Sequence, residues 1–117
     1  MIQIKRVYED PDKQDGFRIL VDRIWPRGVS KEEARVDLWL KDIGPTTELR
    51  KWFGHEVPKW EGFRKKYQAE LREKQNLLDE IKKQEKEHTT VTLLFGAKDE
   101  DHNQAVVIRD VLGENNR

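Results

Sequence analysis

A chain of 117 residues, 39% charged and 35% hydrophobic, has room for one small core under a polar surface, and its four Trp, four Phe and two Tyr argue against disorder. Its 23 basic and 23 acidic residues balance, so a domain-wide basic footprint for general nucleic-acid or anionic-membrane binding is absent, although a local patch remains open. The lack of cysteine excludes a thiol nucleophile, a thiolate metal site and a disulfide framework.

In chain order, MIQIKRVYED alternates Ile2, Ile4 and Val7 with polar residues, as a first strand does. PDKQDG is a loop punctuated by Pro11 and Gly16, and FRILVDRIW reads as a second strand. SKEEA opens a short helix, with Ser30 as N-cap and Glu33 at the reciprocal capping-box position. Segment 36–43 fits either element: Val36, Leu38 and Leu40 a strand, Val36, Trp39, Leu40 and Ile43 a helix. The Gly44-Pro45 stop favours the strand.

Thr46 or Thr47 then caps a helix over TELRKWF, ended by Gly54. VPKWEGFRKKYQAEL is a second long helix, with Trp60, Phe63, Tyr67 and Leu71 on one face. NLLDEIKKQEKEH is a third, with Leu77, Leu78 and Ile81 inward. Val91 to Phe95 is apolar or β-branched almost without alternation, as expected of a strand covered on both faces. DHNQAVVIRDVL is the last helix, with Asp101 and Gln104 as a capping pair and Ala105, Ile108, Val111 and Leu112 inward. Gly113 and the polar ENNR end are expected to fray.

This order predicts a single α/β domain over residues 1–117. Its small, mostly parallel sheet is flanked by helices in a three-layer, Rossmann-like or flavodoxin-like arrangement. The first residues alternate rather than forming a signal peptide, and no run approaches a membrane span, so no membrane association is expected and the cytoplasm is the expected location.

In open α/β sheets ligands gather beyond the carboxyl ends of the strands. Three such ends carry chemistry. In DRIWPRG, Pro26 and Gly28 suit a type I turn, Arg23 and Arg27 can fork onto phosphate or carboxylate, and Trp25 offers a stacking face. The same arginines can equally pair with Asp22, Glu32 or Glu33 while Trp25 plugs the sheet. In GPTTELR, the hydroxyls of Thr46 and Thr47 at a helix start form an anion seat, to which Arg50 can add charge; a plain helix cap is the simpler account. In GAKDEDHN, Asp99, Glu100 and Asp101 precede His102 and Asn103. His102 can act as acid or base oriented by Asp99 or Asp101, and Asn103 can hold a carbonyl or hydroxyl. Dipole-stabilised carboxylates at a helix start explain the cluster without function. His55, after Gly54, reads first as a polar cap beside Trp52, Phe53 and Trp60. Dinucleotide-fingerprint, P-loop, nucleophile-elbow and zinc-protease motifs are absent, and no metal motif fits.

The segments RILVDRIWPRGVSKEEA, LRKWFGHEVPKWEGFRKKY and VTLLFGAKDEDHNQAVVI resemble the YeaO-like proteins, grouped as domain of unknown function 488, over nearly the whole chain. The resemblance implies a small α/β domain without an established activity and supplies no catalytic set.

The favoured expectation is a pocket for an anionic, phosphate- or nucleotide-bearing small molecule, built from Arg23, Trp25, Arg27, Thr46, Thr47, His102 and Asn103. If it is catalytic, hydrolysis or group transfer is expected, with His102 as acid or base, Asp99 or Asp101 orienting it, and Asp22 as a reserve base. The alternative is a non-enzymatic interaction or homo-oligomerisation module using Trp39, Trp52 and Trp60. No cofactor is specified by the sequence; haem on His55 or His102 has the least support.

Overall fold

The computed structural model describes residues 1–115. Four strands, β1 (Ile2–Arg6), β2 (Phe17–Leu20), β3 (Leu38–Trp39) and β4 (Val91–Phe95), form one sheet in the order β1-β4-β2-β3. Every pairing is parallel, so the expected mostly parallel sheet is wholly so among the described residues. Five helices accompany it: α1 (Lys31–Ala34), α2 (Thr47–Phe53), α3 (Trp60–Arg72), α4 (Gln75–His88) and α5 (Gln104–Asn115).

β4 lies between β1 and β2, and all five of its residues are buried, which is why its sequence does not alternate. Its odd positions, Val91, Leu93 and Phe95, join Ile19 and Val21 in the large core, against Phe53, Phe63, Tyr67, Leu78, Ile81 and Ile108 from α2 to α5. Its Leu94 joins Leu20, Val7 and Ala34 on the other face, with half-buried Trp25, Val29 and Val36 over them. The sheet is therefore flanked unequally: four helices cover one face, and the single turn of α1 with its loops covers the other.

The thin face holds a buried ion pair. Arg18, 4% exposed, pairs with Asp15, 5% exposed. Its other guanidinium protons go to the carbonyls of Ala34 (2.7 Å) and Arg35 (3.1 Å). Lys5 Nζ approaches both Asp15 oxygens at 3.2 Å, and Thr92 Oγ1 donates to the Asp15 carbonyl at 2.6 Å. Burial works against the Asp15 carboxylate, but the Asp12 N–H, Lys5 and Arg18 outweigh it and hold its pKa below the ordinary value.

Three boundaries differ from expectation. β2 ends at Leu20 instead of reaching Trp25; one further bond, Val21 N–H to the Leu94 carbonyl at 3.1 Å, carries the ladder on before the chain turns away. Segment 36–43 is mostly neither strand nor α-helix: only Leu38–Trp39 pairs with β2, and a 3-10 turn, Lys41–Ile43, follows. α5 continues through Gly113 to Asn115, past the expected fray; residues 116 and 117, also part of that expectation, lie outside the described residues. The Ser30–Glu33 capping box forms as read, with Glu33 N–H to Ser30 Oγ at 3.1 Å and Ser30 N–H to Glu33 Oε1 at 3.2 Å. Among the described residues, no helix is long and apolar enough to cross a membrane.

Candidate functional site

Beyond the carboxyl ends of β2 and β4 a cavity of about 270 Å³ opens between the strand ends, the start of α5 and the α2–α3 corner. Its polar lining is Asp22, Arg23, Arg50, His55, His102, Asn103 and Gln104; Ile24, Pro45, Phe53, Phe63 and Ala97 supply the apolar part.

Asp22 stands two residues past the end of β2, and its carboxylate bridges to the end of β4 and to α5. Oδ2 accepts the Gly96 N–H at 2.9 Å, and Oδ1 accepts the side-chain amide of Gln104. Burial pushes its pKa up to about 6, although the Gly96 N–H, the nearby Arg50 guanidinium and Gln104 all favour the charged form. Such a carboxyl changes charge within reach of neutral pH.

Arg23 is held from one side. Its Nε donates to the Pro45 carbonyl at 2.8 Å, and Nη1 comes only within 3.9 Å of the exposed Asp42. Arg50, one turn into α2, lines the same cavity and makes no hydrogen bond or ion pair to a side chain of the described residues. Its position comes from Thr46, whose Oγ1 accepts the Leu49 N–H at 3.2 Å and so caps α2.

His102 belongs to a tight turn before α5. Asp99 Oδ1 accepts the N–H groups of Asp101 (2.9 Å) and His102 (3.1 Å), and Asp99 Oδ2 lies 2.9 Å from His102 Nδ1. The Asp101 N–H and the imidazole together hold the Asp99 carboxylate below its ordinary pKa. With Nδ1 donating to Asp99, a neutral His102 presents an unprotonated Nε2, which is a base and an acceptor. Trp60 meets the imidazole edge to face at 5.2 Å and fixes its plane.

The structure thus gathers Asp22, Arg23, His102 and Asn103 at one cavity and sets Asp99 behind His102. It separates the other expected site residues. Trp25 turns to the thin face, where its Nε1 donates to the Val29 carbonyl at 2.7 Å and its ring meets Trp39. Arg27 is exposed outside the cavity, and Tyr8 ties its carbonyl at 2.8 Å. The seat at Thr46 is already filled by an internal anion: Glu70 accepts the Thr46 N–H at 3.0 Å and its hydroxyl proton at 2.7 Å. Thr47 is exposed and does not line the cavity. Asp101 is exposed and leaves His102 to Asp99. Nor does Asp101 pair with Gln104 to cap α5; Asn103 does, its Oδ1 accepting the N–H groups of Ala105 (2.9 Å) and Val106 (3.3 Å).

Sequence reasoning undervalued Arg50 and His55 and missed Gln104. Gly54 and His55 both adopt left-handed backbone, φ 54° and 59°. That conformation is unfavourable for a residue with a Cβ, and here it accompanies a ring that lines the cavity instead of a simple cap.

The three tryptophans weighed as an interface have local roles. Trp60 is half-buried against the core. Trp39 (38% exposed) donates to the Asp22 carbonyl at 2.7 Å, and Lys41 lies 5.6 Å from its ring. Trp52 (39% exposed) lies over Gly62, where a Cβ would come within 2.8 Å of Cη2, and Lys59 and Lys66 stand at 5.3 and 4.7 Å from its ring.

A family model described as the inactive DUF488-N3 subclade matches residues 1–117. The chain belongs to this subclade. Escherichia coli (strain K12) has a relative, "Uncharacterized protein YeaO", 47% identical over 115 residues, covering 95% of this chain and 96% of its own length. "Uncharacterized protein Rv3073c" of Mycobacterium tuberculosis (strain ATCC 25618 / H37Rv) is 49% identical over 70 residues, 60% of this chain and 59% of that one. "Uncharacterized protein Mb3100c" of Mycobacterium bovis matches to the same extent. No solved structure matches the DUF488 chain significantly.

Proposed function

We propose that the cavity beyond β2 and β4 binds a small organic anion, phosphate-bearing molecules first among them, and holds it without turning it over. One observation carries the reading: two guanidinium groups, Arg23 and Arg50, line a single cavity beside a carboxylate whose two oxygens are already bonded to the protein. Forked guanidinium donors are the side chains best matched to phosphate and carboxylate geometry.

Binding is favoured over catalysis by the chemistry of the lining. It contains no Ser, Thr, Cys, Lys or Tyr, and its one carboxylate, Asp22, is already hydrogen-bonded through both oxygens to Gly96 and Gln104. The family description as an inactive subclade agrees with that. His102 with Asp99 is the pair that would serve a hydrolytic reaction; in this reading its imidazole forms part of the wall beside the bound anion. The interaction-module reading has less support, because the exposed tryptophans are engaged by their own chain.

Calorimetric titration with phenyl phosphate, benzoate and inorganic phosphate tests the proposal. Arg23→Ala and Arg50→Ala should each weaken binding about tenfold or more, the usual loss for a charge-assisted hydrogen bond. Arg27→Ala, outside the cavity, should leave it unchanged. Equal affinity in all four proteins, or no binding by the wild type, overturns the reading.

A further inference from the structure

The polar groups of the cavity divide into those already used and those still free. Each oxygen of Asp22 already accepts one hydrogen bond, from Gly96 and from Gln104. Asn103 is taken at both ends: Nδ2 donates to the Asp99 carbonyl at 2.9 Å, and Oδ1 caps α5. The Pro45 carbonyl accepts from Arg23. Among the described side chains, the free donors are those of Arg23 and Arg50; the acceptors beside them are Gln104 Oε1 and, in the neutral tautomer, His102 Nε2, with the His55 ring nearby. The guanidinium N–H groups outnumber these acceptors, so a head group that accepts hydrogen bonds is better matched than a sugar with many hydroxyl donors, since unpaired buried hydroxyls are costly. A head group that only accepts hydrogen bonds suits the inventory.

The rest of the wall is apolar. Phe53 and Phe63 stack with centroids 4.5 Å apart, and Ile24, Pro45 and Ala97 complete the surface. Size narrows the ligand further. A cavity of about 150 Å³ holds one benzene, and drug-sized ligands occupy pockets from about 300 Å³ upward. At about 270 Å³ the space matches one ring with its head group and is small for a nucleotide.

We propose that the ligand is a single-ring aromatic anion, an aryl phosphate, sulfate or carboxylate, with its head group between Arg23 and Arg50 and its ring against Phe53, Phe63 and Ile24. This rests on the anion-binding reading and narrows the expectation of a nucleotide-bearing molecule to something smaller and poorer in hydroxyls.

The test is calorimetry on the full chain with phenyl phosphate, phenyl sulfate, benzoate, inorganic phosphate, ribose 5-phosphate and adenosine monophosphate, in the wild type and in Ile24→Ser. Ile24 is 62% exposed, so its replacement leaves the core intact. The expected result is that at least one aryl anion binds about tenfold or more tighter than inorganic phosphate and ribose 5-phosphate, as burial of a ring requires. The three aryl probes then show which head group is preferred. Ile24→Ser should weaken the aryl probes several-fold and leave inorganic phosphate unchanged. If inorganic phosphate, ribose 5-phosphate or adenosine monophosphate binds as tightly as the best aryl probe, or if Ile24→Ser changes nothing, the aromatic assignment is overturned while anion binding stands. If none of the six binds, the anion-binding reading itself has failed.

Discussion

The Asp22 carboxylate accepts the Gly96 N–H at 2.9 Å, joining the ends of two neighbouring parallel strands across 74 residues of sequence. The same carboxylate faces Arg50 and the amide of Gln104, so one side chain ties β2, β4, α2 and α5 at the floor of the cavity. A carboxylate so deeply placed has a cost that depends on pH.

The folded protein holds the Asp22 proton up to about pH 6, against 3.8 for the ordinary group. Between those values the native state binds more protons than the unfolded state, so this residue makes stability fall as pH rises through the window. A shift of about two units corresponds to roughly 3 kcal/mol at neutral pH. Asp22→Asn should therefore be more stable than wild type at pH 7, by about 1–3 kcal/mol, with the difference closing towards pH 4. Urea denaturation at several pH values measures it. A variant clearly less stable than wild type at pH 7 would show that the carboxylate is a net stabiliser.

The same proton governs binding. Protonation of Asp22 removes a negative charge from a cavity that holds Arg23 and Arg50, so an anion should bind more tightly as pH falls through about 6. His55 and His102 line the same space and Asp99 stands behind His102, so the Asp22 contribution has to be isolated from theirs. The Asp22 part is the difference between wild type and Asp22→Asn, measured with benzenesulfonate, which does not titrate in this range. The variant should bind better at pH 7.5 and show the shallower pH profile; identical profiles would remove Asp22 from the account.

How far the sequence foretold this arrangement follows from where local patterns govern side-chain direction. The unbroken apolar run of Val91 to Phe95, the Trp60–Phe63–Tyr67–Leu71 face and the Ser30–Glu33 box are set within a few residues, and each appears in the structure. The meeting of Arg23 with His102 and Asn103 was readable from strand ends alone, because parallel strands place their carboxyl ends on one edge. The split between Arg23 and Arg27 was not. It depends on the chain leaving the ladder at Val21, after which strand alternation no longer decides which face a residue takes. Thr46 was misread for a different reason: Glu70, the anion that occupies it, lies 24 residues away on α3. Arg50 was undervalued because the carboxylate it faces, Asp22, is also remote in sequence.

Arg18 gives a prediction for the thin face. Its alternation with Ile19 puts a charge where Leu20 and Leu94 are buried, and Asp15 and two carbonyls satisfy it. Arg18→Ala removes all of these partners and leaves Asp15 to Lys5. A loss of about 3–5 kcal/mol is expected, the usual effect of breaking a buried pair from one side. A loss under about 1 kcal/mol, by chemical denaturation, would mean that water replaces the guanidinium at little cost.

Gly16 governs the entry into β2. Its φ is 65°, and a Cβ there would lie 2.2 Å from the Thr90 carbonyl oxygen, which accepts the Phe17 N–H at 2.9 Å. Gly16→Ala combines left-handed strain with a collision against backbone, so a loss of about 3 kcal/mol or more and a clearly lower melting temperature are expected. An unchanged melting temperature would mean that the β1–β2 connection has freedom this packing does not provide.

The central claim, that Arg23 and Arg50 together receive an anion, is tested most directly by a nuclear magnetic resonance titration with phenyl phosphate that follows backbone amides and arginine side-chain N–H signals. The account predicts saturable shifts at Arg23, Arg50, Gly96 and His102, with Arg27 and Arg18 unmoved and the shifts abolished in Arg50→Ala. Saturable shifts that leave Arg23 and Arg50 still, or that persist unchanged in Arg50→Ala, would contradict it.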